Sequence, residues 1–172
     1  KKAESYEICF VPDNDYRGFL KRRVDGLEER VKNGKFVNKA GEVIGTHDGY
    51  PFYTIGQRKG LGGGFKIPMF VTEIIPETNT VVLGEVAELI RNTMKVGQLN
   101  WMKYEALPEG MEALTQVRYN DPGVMAGLLM EADQVHVDFY AHVRGIAPGQ
   151  SAVFYEGDDV VGGGIIMRNP IF

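Results

Sequence analysis

The spacing of apolar positions changes character along the chain, and each change predicts a different element. Tyr6 to Pro12 is a short apolar run that ends on a proline, which reads as a strand or a buried loop. Asp13, Asn14 and Asp15 then offer helix N-caps. Tyr16, Phe19, Leu20 and Val24 follow at the spacing of one helical face, predicting a helix over 16–24. Lys35 to Gly45 reads as a β-hairpin that turns near Ala40 and Gly41. Two further strands are expected from Ile67 to Ile75 and from Thr80 to Leu83, joined by a turn at Pro76–Asn79. Glu85 to Arg91 predicts one or two helical turns.

Beyond Val96 the pattern becomes a series of short alternating runs. They cover Leu99–Tyr104, Leu114–Tyr119, Val124–Met130, Val135–Tyr140, Ser151–Tyr155 and Val160–Met167. Val135-His-Val-Asp-Phe-Tyr140 alternates with a clean period of two. Turn residues separate the runs, as at Pro148-Gly149 and Gly157-Asp158-Asp159. Six such strands predict a mainly β protein whose C-terminal part is a small closed barrel or a sandwich.

Composition narrows the class. Of 172 residues, 44% are hydrophobic and 24% charged, which is enough apolar material for a packed core. No apolar run approaches the roughly 20 residues of a membrane-spanning helix, and Lys1 to Glu7 lacks the apolar core of a signal peptide. A single cysteine, Cys9, excludes an internal disulfide and a multi-cysteine zinc site. A reducing, cytoplasmic setting is expected. Net charge is -4, unevenly spread: residues 1–66 hold 13 Lys+Arg against 9 Asp+Glu, and residues 67–172 hold 6 against 14. Any nucleic-acid contact should therefore be local rather than a general basic surface.

The candidate chemistry is sparse. Cys9 lies between Ile8 and Phe10, as a buried structural cysteine would. It also precedes a helix start with Arg17 one turn inside, a setting that would favour a thiolate, so both readings stay open. Gly56-Gln-Arg-Lys-Gly-Leu-Gly-Gly-Gly64 lacks the Gly-Lys-Ser/Thr of a phosphate loop and the following helix of a dinucleotide fingerprint. It is either an ordinary long loop or a loop whose Arg58 and Lys59 approach a nucleic-acid backbone. Arg118-Tyr119, ending an expected strand, pairs a forked donor with an aromatic ring, which suits phosphate contact and base stacking. Gln150 is a polar residue at a turn, and Trp101 is expected in the core. His47, His136 and His142 have no metal-ligand spacing.

Four ordered stretches carry a resemblance. Gly45-x-His47-x-Gly49-x-x-x-Tyr53-Thr-Ile-Gly-Gln-Arg-Lys-Gly-Leu-Gly62 is long and specific. Ile8-Cys9-Phe10 with Phe19-Leu20, Gln116-Val-Arg118-Tyr119, and Ala147-Pro-Gly-Gln-Ser-Ala-Val-Phe-Tyr155 followed by Gly162-Gly-Gly-Ile-Ile166 agree in order. Together they resemble the tRNA-specific 2-thiouridylase family over nearly the whole chain.

That resemblance implies a transferase that replaces the C2 oxygen of the wobble uridine of tRNA by sulfur, using ATP and a cysteine persulfide. It places the persulfide on Cys9 and tRNA contacts at Arg118, Tyr119 and Gln150. The loop cations Arg58 and Lys59 are further tRNA-contact candidates on their chemistry alone. It implies a cysteine-bearing tail of the catalytic domain over 1–24, a small α+β central domain over 25–95, and a six-stranded antiparallel β-barrel over 96–172 like the second domain of elongation factors. The family's ATP-pyrophosphatase domain, with its Ser-Gly-Gly-x-Asp-Ser loop, would precede Cys9, and neither that loop nor the partner cysteine occurs in these residues. The chain is therefore expected to be a C-terminal portion. ATP with Mg would be bound by the missing domain and no cofactor by this chain, which alone neither hydrolyses ATP nor thiolates tRNA. Expected partners are tRNA and a sulfur donor, either a cysteine desulfurase or a relay protein, with the chain itself a monomer and not at a membrane. The alternative is a stand-alone RNA-binding or translation-factor-like barrel with a structural Cys9.

Overall fold

The structure is a computed structural model that describes residues 11, 15–62, 64–119 and 121–168. The chain divides into two compact units, Lys1–Glu85 and Val86–Phe172. The expected strand at Tyr6–Pro12 lies outside the described residues except for Val11, which is buried, and Asp13 and Asn14 also lie outside them.

The first unit opens with helix α1 (Tyr16–Arg23). Asp15 caps it by accepting a hydrogen bond from the Gly18 amide, at 2.8 Å. A one-turn helix α2 (Leu27–Val31) follows and sinks Leu27 and Val31 into the core. Strands β1 (Gly34–Val37) and β2 (Val43–His47) form the expected hairpin. Its turn is organised by Asn38, whose Oδ1 accepts from the amides of Ala40 and Glu42. Strands β3 (Phe70–Ile75) and β4 (Thr80–Gly84) complete a sheet of order β2-β1-β4-β3. The β1–β4 pair is parallel and the other two are antiparallel. Phe36, Val71, Val81 and Leu83 pack on one face of this sheet with Leu27, Val31, Phe52, Tyr53 and Leu61.

Asn79 ties this unit together in a way its sequence context did not announce. It takes φ of +50° at the β3–β4 turn, donates Nδ2 to the Val31 carbonyl at 2.5 Å and accepts the Tyr50 amide on Oδ1 at 3.1 Å. Its carbonyl also receives the Lys35 amide, at 3.1 Å. One side chain and its backbone thus join the end of α2, the start of β1 and the turn at Tyr50.

The second unit is a closed six-stranded antiparallel barrel in the order β10-β5-β8-β7-β6-β9. Its strands are β5 (Ile90–Trp101), β6 (Glu112–Gln116), β7 (Val124–Glu131), β8 (Gln134–Arg144), β9 (Ser151–Glu156) and β10 (Asp159–Ile166). Inward residues Met94, Val96, Val135, Val137, Phe154, Val161 and Ile166 fill its centre. Trp101 is only partly buried and stacks on Phe154, with ring centroids 6.3 Å apart.

Sequence expectations shift here at the start of β5 and after β6. The first barrel strand was expected at Leu99–Tyr104, but β5 begins at Ile90, directly after a 3-10 turn at Val86–Leu89. Its alternation is broken by a register shift against β8 between Arg91 and Thr93, and by Gln98 at φ +50°. The boundary placed at 95/96 therefore falls inside a strand, whereas the compact units meet at Glu85 and Val86. Arg118 and Tyr119 were read as a strand end, yet β6 stops at Gln116 and both lie in the loop that follows.

Candidate nucleic-acid interface

Closing a barrel from antiparallel neighbours sorts its connections between two ends. The loop after β6, the loop from β8 to β9, the start of β5 and the end of β10 share one end. Arg118, Tyr119 and Gln150 all lie there. The register Gln116↔Val153 in the β6–β9 pair sets Arg118 and the start of β9 at the same level. Gly145, leaving β8 with φ of +74°, comes so close to Arg118 that a Cβ there would sit 3.5 Å from its Nη1.

The loop that carries Arg118 and Tyr119 is braced from below. Asp121 accepts the Gly123 amide on Oδ1 at 2.8 Å, and its Oδ2 lies 3.7 Å from Arg118 Nε. The Asp121 side chain is 10% exposed and that of Arg118 57%, so the carboxylate sits under the guanidinium and orients it. Tyr119 is 95% exposed, an aromatic ring with almost no contact to its own protein. Such exposure of a large ring gains nothing for folding, and it leaves both faces open to a stacking partner. Gln150 is exposed, and its backbone is fixed through bonds to Ala147 and Ile166.

The glycine-rich segment of the first unit is also organised. Gln57 accepts the Thr54 amide on Oε1 and donates Nε2 to the Lys59 carbonyl, while Gly56 and Gln57 pair with the backbone of Val71. Leu61 is buried and anchors the far side. Arg58 and Lys59 are exposed at the tip of this braced turn. The segment leads into β3 rather than a helix, so it does not have the loop-to-helix form of a phosphate loop or dinucleotide fingerprint.

His47, Tyr53 and Arg17, from the most specific sequence stretch and from α1, prove to be architecture. His47 is 6% exposed, accepts the Gly49 amide on Nδ1 at 3.0 Å, and packs its ring on Phe36 and Tyr53. Its Nε2 meets no partner in hydrogen-bond geometry among the described residues. The guanidinium of Arg17 lies 5.5 and 5.6 Å from the ring centres of Phe52 and Tyr53 and 3.7 Å from Asp48. This cation, expected to favour a thiolate at Cys9, is thus engaged within the first unit. Burial raises the pKa of Tyr53, with Arg17 opposing.

Burial lowers the pKa of His47 below its ordinary value, with the Lys35 backbone and Asp48 opposing. The unfolded chain then binds this proton first, from about pH 6.5 downward. His47 should therefore make the first unit less stable as pH falls through that range, by at most about 1.4 kcal/mol per pH unit. Hydrogen exchange of the β1–β4 amides from neutral to mildly acidic pH, compared with His47→Gln, measures the effect. A titration of the His47 ring by NMR with a midpoint above the ordinary histidine range would contradict it.

Cys9 lies outside the described residues. Among the described residues no group of three or more His, Cys, Asp or Glu side chains is placed to hold a metal ion, and no helix is long and apolar enough to cross a membrane.

Two family models match the chain. Residues 17–85 match the tRNA methyl transferase PRC-barrel domain, and residues 91–166 match the aminomethyltransferase beta-barrel domain. Similar curated proteins include the tRNA-specific 2-thiouridylase MnmA of Amoebophilus asiaticus, 60% identical over 175 residues. That match covers 99% of this chain and 46% of the relative. The protein of the same name from Cytophaga hutchinsonii is 60% identical, covering 98% and 46%, and that from Salinibacter ruber is 51% identical, covering 96% and 43%. The chain spans about half the length of the curated relatives it matches.

Proposed function

The chain belongs to the tRNA-specific 2-thiouridylase family, and from that premise we propose that it is the C-terminal, tRNA-docking and sulfur-carrying portion of a tRNA-uridine 2-sulfurtransferase. The two family models carry methyl-transfer names, but 60% identity across 99% of the chain supports thiolation. In this reading the barrel and the small sheet domain hold tRNA, while Cys9 carries a terminal sulfur as a persulfide. The activating ATP with its Mg belongs to chain beyond these residues, in a cytoplasmic enzyme supplied by a sulfur donor protein.

The observation that carries the docking role is Tyr119, fully presented beside an Arg118 that Asp121 holds in place. An exposed ring stacks on an unpaired base, a forked guanidinium takes the adjacent phosphate, and Gln150 at the same barrel end adds a hydrogen-bonding amide. In the first unit, Arg58 and Lys59 at the glycine-rich turn offer a backbone contact of their own. Arg118 needs no deprotonation and Tyr119 no activation, so these groups bind and orient the RNA and take no part in bond-making.

Titration of the chain with a fluorescently labelled wobble-uridine tRNA tests this. Binding should be saturable and weaken with salt. Tyr119→Ala should weaken it by about tenfold, corresponding to roughly 1.4 kcal/mol of lost stacking, with stability unchanged because the ring touches almost nothing. Arg118→Ala should weaken it and flatten the salt dependence. Equal affinity in wild type and both variants would overturn the assignment.

A further inference from the structure

The barrel unit is acidic overall, with 6 Lys+Arg against 11 Asp+Glu in residues 86–172, a poor composition for an RNA-binding surface. Topology resolves the difficulty by sorting the signs. Arg91, Arg118, Arg144 and Arg168 lie at the end that carries the β6–β7 and β8–β9 loops. The opposite end gathers Glu131 and Asp133 at the β7–β8 turn with Glu156, Asp158 and Asp159 at the β9–β10 turn. The other two barrel cations are neutralised: Lys103 pairs with Glu156 and, at 2.7 Å, Asp159, and Lys95 lies 2.9 Å from Glu131.

We propose that the barrel meets RNA end-on, and that Arg144 and Arg91 form a cationic collar with Arg118 for successive phosphates. Neither Arg144 nor Arg91 has a side-chain ion pair among the described residues. They sit at neighbouring strand ends through the pairs Ile90↔Arg144 and Arg91↔Val143, which place them on opposite faces of one ribbon. Arg144 is exposed on the outer face, and Arg91 is half-buried on the face shared with the buried Val143. The reversal at Gly145 brings the end of β8 against the Arg118 guanidinium. The carboxylates at this end are occupied, Asp121 beneath Arg118 and Glu88 with a partner of its own. Guanidiniums without carboxylate partners give up no ion pair when they meet a phosphate. The acidic far end repels the same polyanion, so the charge separation fixes which way the barrel faces.

This inference rests on the tRNA-docking reading. The experiment compares the wild-type chain, Arg91→Ala, Arg144→Ala, Arg118→Ala and Asp133→Lys in titrations with the labelled tRNA across a salt series, with Trp101 fluorescence as the check that the barrel is intact. Arg91→Ala and Arg144→Ala should each weaken binding about fivefold and lower the slope of log affinity against log salt by about 1. Asp133→Lys, which adds positive charge at the far end, should leave both unchanged. If Arg118→Ala weakens binding while the other two arginines leave the slope unchanged, tRNA docking stands and the collar is overturned. If Asp133→Lys tightens binding as much as the arginine losses weaken it, net charge rather than a face governs binding, which also overturns it. No saturable binding by the wild-type chain overturns the docking reading and the collar with it.

Discussion

Replacing Gly163 by alanine is expected to destabilise the barrel by about 3 kcal/mol or more. The cause lies in how β10 closes the barrel. This strand pairs with β9 on one edge and β5 on the other, and its register shifts against β9 between Val160 and Gly162 and against β5 between Gly163 and Ile165. A Cβ at Gly163 would stand 2.3 Å from the Ala152 carbonyl oxygen, and one at Gly164 2.4 Å from the Gly97 carbonyl oxygen. These obstacles are backbone, so they yield only if a ladder breaks. A loss of this size is a large share of the roughly 5–15 kcal/mol that holds a domain together. It should lower the barrel Tm by about 12–24 °C. Trp101 is the only tryptophan and belongs to this unit, so its fluorescence follows the barrel melt separately from the first unit. Gly157→Ala is the control: it takes φ of +59° at a turn with nothing near its Cβ position, and should cost only about 1–2 kcal/mol. Equal melting of the two variants would show that closure does not depend on the glycine contact.

The same strand explains what was legible in the sequence. Each β-run with intact alternation was readable, because period-two burial is a local property: Val135, Val137 and Phe139 point inward, as their spacing requires. Alternation alone did not choose between barrel and sandwich, since closure depends on β10 meeting β5 about 60 residues away along the sequence; the resemblance implied the six-stranded barrel, and the structure has it. The first half of β5 was lost because a bulge at Arg91–Thr93 and a left-handed Gln98 interrupt its pattern. In the first unit the hairpin announced itself through Asn38 to Gly41, whereas the parallel β1–β4 pair left no local mark. The candidate interface divides in the same way. Arg118-Tyr119 was visible as adjacent residues of complementary chemistry. Arg91 and Arg144 are single arginines more than 50 positions apart, and only antiparallel pairing makes them neighbours.

The largest functional effect is expected from Cys9→Ser in the full-length enzyme: 2-thiouridine formation should fall by at least about a thousandfold. The proposed step needs an atom that accepts a terminal sulfur and presents it to C2 of the adenylated uridine, where that sulfur displaces AMP. A second thiol, the partner cysteine, then attacks the Cys9 sulfur, breaks the S–S bond and ends in a disulfide with Cys9, leaving the outer sulfur on C2. A thiolate carries sulfur in this way readily, and a serine oxygen of nearly the same size does not. The substitution removes that one capacity while leaving tRNA docking to the barrel, because Arg118, Tyr119 and Gln150 belong to the other compact unit. Binding of tRNA and tRNA-dependent pyrophosphate release should therefore stay within about twofold of wild type. Thiolation by the serine variant at a normal rate would remove Cys9 from the reaction. Joint loss of thiolation, pyrophosphate release and tRNA binding would mark Cys9 as structural, the role that its flanking Ile8 and Phe10 also permit. Separation of the first activity from the other two is the result that assigns it the sulfur.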